Sequence, residues 1–255
     1  MVRIERDGNV ALWTISRPEA RNALDYATLS ELAAAIARAA QDRTLRAVVL
    51  TGEGSMFVSG ADLRELRAAR AQGDGERLAD AGRQVCRGLV SLDVPVIAAL
   101  PGPAIGGGAE LAVACDLRIA EDRAKLCFKQ ARMGLTTAWG TLPRLLSLVG
   151  PATASRLLFT GHEIGAMEAR ALRLVDHVAE NGNGVALALA WAMDVSQGSP
   201  RAVAEMKTLL REAWSADEWL RARERERFVA TWLGPDHFEA VEAYFGSRAP
   251  VWRQR

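Results

Sequence analysis

The sequence predicts an α/β fold with a largely parallel sheet, and three observations lead to that prediction. Short apolar runs typical of buried strands alternate with amphipathic segments of helical length over the first half of the chain. Glycines cluster where predicted strands give way to helices. The chain has 255 residues, of which 49% are apolar and 25% charged, enough for a sizeable core without disulfides or metals.

The predicted elements begin with a β-hairpin, in which the runs 2–6 and 10–15 flank Asp7-Gly8-Asn9. Asp25 is a candidate N-cap for a helix over 26–41, which carries an apolar stripe at helical spacing. The elements predicted next are a strand at 46–51, a helix at 75–92, a strand at 94–100, a short helix from Gly107 and a strand at 117–120.

The final part of the chain, from Thr141 onward, is predicted to be mostly helical, with one short strand at 174–178. Two segments, 72–76 and 181–184, are loose enough to be boundaries, but composition does not change at either. The repeated strand-helix order favours right-handed crossovers and a parallel sheet covered by helices.

Charge and cysteine content exclude several classes of protein. With 32 Lys plus Arg against 31 Asp plus Glu, no global field draws the chain to nucleic acid or anionic lipid. The three cysteines lack the spacing of a disulfide framework or a zinc site, so we expect no metal and a reducing, cytoplasmic setting. No apolar run reaches the roughly 20 residues that span a bilayer, so no membrane partner is expected.

The segment FVSGADL, residues 57–63, follows the strand predicted to end at Thr51. Gly60 permits a sharp turn, and Ala61 and Asp62 then open a helix whose first N–H groups have no intrahelical acceptor. Those groups are available to an anion. The alternative is that Gly60 is only a turn and that Asp62 only complements the helix dipole.

A second glycine-rich segment, PGPAIGGGAEL at 101–111, directly follows the strand predicted at 94–100. Its spacing is not that of a dinucleotide-binding or phosphate-binding loop, but Gly107 places N–H groups at the strand ends. Glu110 lies in the first turn of the following helix. It either complements the helix dipole or transfers protons beside a developing oxyanion.

Four segments together resemble the crotonase (enoyl-CoA hydratase/isomerase) superfamily, in the same order and at similar separations: SRPEARNAL, FVSGADL, PGPAIGGGAELAVACDLRIA and FTGHEIGAMEARALRLVDHV. The likeness extends over residues 2–252. It implies a crotonase-like ββα-type spiral core with a C-terminal helical layer. It also implies a core domain with the acyl-CoA site at 1–190 and a helical trimerisation region at 191–255.

The resemblance implies that the backbone N–H groups of Ala61 and Gly107 hold the thioester oxygen as it becomes an enolate. Such preorganised donors are worth about 3–4 kcal/mol each. Coenzyme A would be part of the substrate rather than a permanent cofactor. The residues implied in binding it are Ala20, Arg21, Ala23, Leu24, Ser59, Asp62, Leu63 and Arg248. Arg21 would pair with phosphate or remain a solvated surface charge.

The match implies that Glu110 is the first of the two acid/base carboxylates of the family. At the second position this chain has Gln130, in the segment LCFKQARMG, and an amide cannot ionise. It can only orient water or substrate by hydrogen bonds. Trp139 replaces the small residues usual nearby, and it either narrows the acyl side of the pocket or anchors the following helix.

The remaining candidates are interpreted as structural. His162, His177 and His237 are far apart in sequence and outside the cleft motifs, so they are assigned to surface or packing. The run Arg221-Ala-Arg-Glu-Arg-Glu-Arg-Phe228 alternates in charge, which is typical of a solvated, salt-bridged helix face.

The leading functional hypothesis is an acyl-CoA enzyme that stabilises a thioester enolate and hydrates a 2-enoyl-CoA. The single carboxylate also suits decarboxylation of a malonyl-type or glutaconyl-type CoA, because loss of carbon dioxide forms the enolate without a base. A specialised lyase or hydrolase, and a CoA-binding or RNA-binding paralogue without turnover, are further alternatives. The family resemblance implies a homotrimer or a dimer of trimers.

Overall fold

The main sheet of the protein has six strands and is parallel except at one edge. The computed structural model describes residues 1–68, 71–214 and 218–251. Its strands are β1 (Val2–Asp7), β2 (Val10–Ile15), β3 (Ala47–Gly52), β4 (Val96–Leu100), β6 (Leu117–Glu121) and β9 (His177–Ala179). They lie side by side in this order, and only β1 runs antiparallel to its neighbour.

A second, three-stranded sheet lies beside the first and consists of very short strands. In chain order they are β5 (Ala104–Ile105), β7 (Lys125–Cys127) and β8 (Ile164–Gly165), with β7 in the middle. The amide of Gly106 donates to the carbonyl of Cys127 at 2.7 Å. This sheet therefore brings the second glycine-rich segment next to the chain that leads to Gln130.

Ten helices cover the two sheets in the part of the chain that the structure describes. They are α1 (Tyr26–Gln41), α2 (Leu63–Ala68), α3 (Gln72–Ser91), α4 (Gly107–Ala114), α5 (Leu142–Thr160), α6 (Ala166–Ala171), α7 (Gly184–Ser196), α8 (Pro200–Trp214), α9 (Glu218–Trp232) and α10 (Pro235–Phe245). Short 3₁₀ turns occupy Pro18–Ala20 and Lys129–Met133. As predicted, Asp25 caps α1 by accepting from the Thr28 amide at 2.7 Å.

Apolar side chains alternate between the two faces of the main sheet, so each face has its own core. Val48, Leu50 and Ala98 belong to the larger core, which is shared with α1, α3 and α4. Val49 and Ile97 point to the opposite face and pack with α7. Burial on both faces explains why β3 and β4 are continuous apolar runs.

The structure confirms an α/β fold with a mainly parallel sheet, but it corrects two segments. The stretch 72–76, predicted to be loose, is the first turn of α3. The strand predicted at 174–178 begins only at His177, because the amides of Leu174 and Val175 donate back to the Ala169 carbonyl after α6. The predicted domain boundary after residue 190 lies within α7. No helix within the described ranges has the length and apolar character needed to cross a membrane.

Candidate active site

The two glycine-rich segments meet at the ends of β3 and β4. The Ile105 amide donates to the Val58 carbonyl at 2.9 Å, and a Cβ on Gly60 would lie 3.6 Å from the Gly107 nitrogen. Gly60 has a φ of +107°, a conformation that L side chains rarely adopt. Among described residues, no acceptor binds the N–H of Ala61 or of Gly107. Two backbone donors without a protein acceptor among the described residues therefore line the same cavity.

A cavity of about 650 Å³ opens in front of these two N–H groups. Of the residues proposed from the sequence, all line it except Leu24 and Arg248. Leu24 is buried directly behind the cavity wall and pairs with Ala61 through an isolated parallel bridge. Arg248 is exposed and donates to the Glu239 carboxylate, so its role in coenzyme A binding stays a prediction.

The segment 20–24 enters the cavity wall in an unusual backbone conformation. Arg21 and Asn22 both have positive φ angles, of 54° and 55°. The buried side chain of Asn22 stabilises this turn by donating to the carbonyls of Glu53 and Met56 and accepting from the Arg17 amide. Asn22 therefore ties the first cavity segment to the segment that follows β3, which leaves the Arg21 side chain at the cavity mouth.

Asp62 has mainly a local structural role in the described chain. One of its oxygens accepts from the Arg64 amide at 3.0 Å, the position of an N-cap for α2. The other accepts from the Arg17 guanidinium at 3.1 Å, and Arg17 also pairs with Asp25 at 3.0 Å. These contacts join the starts of α1 and α2, and they account for the near-complete burial of the Asp62 carboxylate.

Glu110 projects from the first turn of α4 into the cavity and is only 2% exposed. One carboxylate oxygen accepts from the amides of Ala138 at 3.3 Å and Trp139 at 3.0 Å, and from the Thr141 hydroxyl at 3.2 Å. The other oxygen accepts from Gln130 Nε2 at 2.7 Å. This second oxygen therefore lies on the Gln130 side of the cavity.

The environment of Glu110 keeps it protonated near neutral pH. Burial and, to a lesser extent, the nearby Glu224 carboxylate together raise the pKa of Glu110 to about 8, against the lowering effect of its hydrogen bonds to Trp139, Gln130 and Ala138. A carboxyl group with this pKa can accept and donate a proton at comparable rates near pH 8. Glu110 is therefore suited to both halves of a proton-transfer cycle.

Gln130 lies in the 3₁₀ turn after β7, where the resemblance expects the second carboxylate. Its amide N–H binds Glu110, while its buried Oε1 accepts no hydrogen bond from a described residue. Gln130 is one of the residues that line the same cavity. The pair thus presents one proton-transfer group and one free acceptor to whatever occupies the cavity.

Trp139 is both a core residue and a wall of the cavity. Trp139 is 4% exposed, and its indole packs directly against Gly82 of α3 and Gly107 of α4. A methyl group on either glycine would overlap the ring. The indole therefore fills the space beside the Gly107 N–H and limits the depth of the cavity at that point.

The structure buries two polar side chains of the C-terminal helices. His237, assigned above to surface or packing, packs in the cavity wall, with Nδ1 3.0 Å from the Met133 carbonyl and its ring 4.7 Å from that of Trp232. The expectation for Glu224 is wrong: it lies within the run assigned to a solvated face, yet it is only 5% exposed. The side chains of residues 221 and 222 in that run lie outside the described residues.

The sequence contains a pattern that indicates the burial of Glu224. Phe228 and Trp232 are both buried, and they mark the inner face of α9 at a spacing of four residues. Glu224 precedes Phe228 by the same spacing, so it falls on that inner face. The alternating charges of the run concealed this periodicity.

Comparison with known proteins agrees with this fold. The family described as enoyl-CoA hydratase/isomerase matches residues 5–255. The short-chain-enoyl-CoA hydratase of Clostridium acetobutylicum is 36% identical over 97% of this chain and 95% of that protein. The 2,3-dehydroadipyl-CoA hydratase of Escherichia coli K12 is 32% identical over 99% of this chain and 98% of that protein.

Solved structures are similar over the same length. The crystal structure of an enoyl-CoA hydratase from Mycobacterium avium subsp. paratuberculosis has a TM-score of 0.88 at 25% identity, covering 99% of this chain and 98% of that one. The fold match and the hydratase-named relatives define an acyl-CoA enzyme of the crotonase type. The chain belongs to the enoyl-CoA hydratase/isomerase family.

Proposed function

We propose that the protein adds water to the double bond of a 2-enoyl-CoA. The observation that supports this reaction is the Glu110–Gln130 pair, joined by a 2.7 Å hydrogen bond beside the free N–H groups of Ala61 and Gly107. A water molecule bound between the pair would donate one hydrogen to Glu110 and the other to Gln130 Oε1. Its lone pair would then face the substrate.

One carboxylate suffices for a balanced addition. The water oxygen bonds to the β-carbon, the double-bond electron pair moves to form the enolate, and the Glu110 carboxylate takes a proton from the water. Glu110 then gives that proton to the α-carbon, and the thioester carbonyl is restored. The N–H groups of Ala61 and Gly107 hold the enolate oxygen, where each donor contributes about 3–4 kcal/mol.

The names of the relatives support hydration, because those at 36% and 32% identity are called hydratases of enoyl-CoA substrates. The acyl group is suggested by the cavity itself. Trp139 limits its depth beside Gly107, while Met133, Leu135 and Phe228 provide apolar lining. We infer a short or medium acyl chain, with coenzyme A bound as part of the substrate along residues 20–24 and 59–63.

Decarboxylation is the second candidate, and Gln130 is the observation that favours it. Loss of carbon dioxide from a malonyl-type CoA leaves its bonding electron pair on the α-carbon as the enolate, so no second carboxylate is needed. The site then has only to donate a proton. Because the pKa of Glu110 is raised to about 8 by burial and by Glu224, it holds that proton at neutral pH.

A panel of acyl-CoA thioesters followed by mass spectrometry separates the two reactions. Hydration adds the mass of water and decarboxylation removes that of carbon dioxide. The pH profiles also differ: hydration uses the Glu110 carboxylate and rises as pH increases through about 8, whereas decarboxylation uses the acid and falls over the same range. No mass change with any 2-enoyl-CoA contradicts hydration.

Gln130→Glu is expected to raise hydration about ten-fold or more, because it adds a second acid/base group next to the bound water. Gln130→Leu is the matched comparison: it removes both the donor to Glu110 and the acceptor for water, and hydration should fall. The initial rates on one enoyl-CoA measure both effects. Equal loss of activity in the two variants contradicts the placement of Gln130 at the water.

We infer a homotrimer or a dimer of trimers in which residues 191–255 form the assembly region. Exposed apolar side chains on α8, namely Met206, Leu209 and Leu210, support burial of this layer against another subunit. Light scattering at micromolar concentration should give a mass of three or six chains. A monomer at that concentration refutes the inference.

Three free, buried cysteines suit the cytoplasm, where we place the protein.

A further inference from the structure

Glu224 is a buried carboxyl group outside the cavity lining. It lies on α9, which packs against α3 and α5. Neither of its oxygens has a hydrogen bond of full geometry with a described residue. Even so, the Thr137 hydroxyl and the amides of Gly140 and Leu142 face it closely enough to lower its pKa, against a larger rise caused by burial. A buried carboxyl group that is so incompletely hydrogen-bonded lowers the stability of the fold, so its presence requires an explanation.

The segment 137–142 donates hydrogen bonds to Glu110 and lies next to Glu224, and different groups of the segment face each carboxyl group. Its donors to Glu110 are the amides of Ala138 and Trp139 and the hydroxyl of Thr141. Its groups facing Glu224 are the hydroxyl of Thr137 and the amides of Gly140 and Leu142. One short segment is therefore oriented by two carboxyl groups, one from α4 and one from α9.

The charged surroundings couple the two carboxyl groups electrostatically. The titratable groups facing Glu224 are Arg83 and Cys86 on α3 and Glu110 on α4. Arg83 lowers the pKa of Glu224, whereas the Cys86 thiol has its own pKa raised far above the usual value, mainly by burial, and stays neutral. Two negative charges in this buried region oppose each other, so ionisation of one carboxyl group disfavours ionisation of the other.

We propose that Glu224 is a positioning residue for Glu110, acting from the C-terminal helical layer through the segment 137–142 that both carboxyl groups contact. Its role in turnover rests on the proposed function, because Glu110 must first be the proton-transfer group. Through this segment Glu224 sets the orientation of the Glu110 carboxylate, and through its charge it sets the pH at which Glu110 changes protonation state.

A purely structural Glu224 would have a different signature. Its replacement would lower the melting temperature but leave the titration of Glu110 where it was. A positioning residue changes that titration in a folded protein. Glu224→Gln keeps the size and an acceptor oxygen and removes only the charge. Glu226→Gln is the matched control, because Glu226 is exposed on the same helix and pairs with Arg223.

The test is a pH titration of buried carboxyl groups by infrared difference spectroscopy on the intact protein. The band of protonated Glu110 is identified by its loss in Glu110→Gln. With Glu224→Gln, the Glu110 midpoint is expected to fall by about one pH unit, because a neighbouring like charge is gone. The rising limb of the hydration pH profile should move to lower pH by the same amount. Glu226→Gln should leave both unchanged.

An unshifted Glu110 midpoint in folded Glu224→Gln overturns the proposal. If that variant does not fold, Thr137→Val replaces it, since it removes a group facing Glu224 and none that binds Glu110. Glu224 then holds its proton to higher pH, and the Glu110 midpoint should fall by less than in Glu224→Gln. An unchanged midpoint again contradicts the proposal.

If no enoyl-CoA is hydrated by any variant, the proposed function fails. The infrared midpoint still tests the link between the two carboxyl groups.

Discussion

Glu110→Gln is expected to lower turnover about 10²–10⁴-fold while acyl-CoA binding stays nearly unchanged, because general acid/base groups contribute about that much to rate. Gln has the shape of Glu and can still accept from Ala138, Trp139 and Thr141 through its one oxygen. What it loses is the ability to exchange a proton and the oxygen that accepts from Gln130 Nε2. Steady-state kinetics measure the rate, and calorimetry with a coenzyme A thioester measures the binding.

The control for this prediction is Glu163→Gln, which changes an exposed carboxylate at the cavity mouth that pairs with Lys125 at 3.4 Å. It should keep turnover within a few-fold of the native protein. Full activity in Glu110→Gln would mean that the only role of Glu110 is to complement the helix dipole at the start of α4. Catalysis would then depend on the backbone donors alone, and decarboxylation would become the better assignment.

Gly107→Ala is expected to lower kcat about 10²–10³-fold, the loss found when one oxyanion donor is removed. The cause is steric, since the added methyl group overlaps the Trp139 indole and displaces either the ring or the Gly107 N–H. Gly107 carries no titratable group, so the pH profile should keep its shape. The measurement is the rate on the best acyl-CoA of the panel.

A second substitution separates this steric cause from general damage. Trp139→Leu removes the ring atoms that the methyl group meets, so Gly107→Ala combined with Trp139→Leu should be more active than Gly107→Ala alone. Gly165→Ala adds the same methyl group where nothing lies within 4 Å, and it should have no effect on rate. Failure of Trp139→Leu to restore activity contradicts the steric explanation.

Helices and strands that are long enough to show a repeating pattern of apolar residues could be predicted from the sequence. The apolar runs of β2, β3 and β4 and the stripe of α1 indicated their positions within a few residues, because burial imposes a period on the chain. The small sheet of β5, β7 and β8 could not be predicted. Strands of two or three residues carry no period, and their pairing depends on contacts distant in sequence.

Part of the candidate site could be predicted from the sequence, and part could not. The two glycine segments indicated where free N–H groups would lie, and the resemblance placed Gln130 near Glu110, which the 2.7 Å hydrogen bond supports. Glu224 was missed because the alternating charges of the run concealed its four-residue spacing from the buried Phe228. Which elements this inner face of α9 meets, namely α3 and α5, depends on tertiary packing that the run does not indicate.

The indole of Trp139 also constrains how this chain can evolve. With tryptophan at 139, any larger residue at Gly82 or Gly107 overlaps the ring, so those glycines cannot change first. If the tryptophan is replaced first by a smaller residue, a cavity remains in the core. Truncation of a buried aromatic side chain commonly lowers the free energy of unfolding by about 3–5 kcal/mol. A lineage that alters the acyl pocket must therefore cross a less stable intermediate with a reduced side chain at 139. We expect relatives with a small residue at the position of Trp139 to be the ones in which the positions of Gly82 and Gly107 vary.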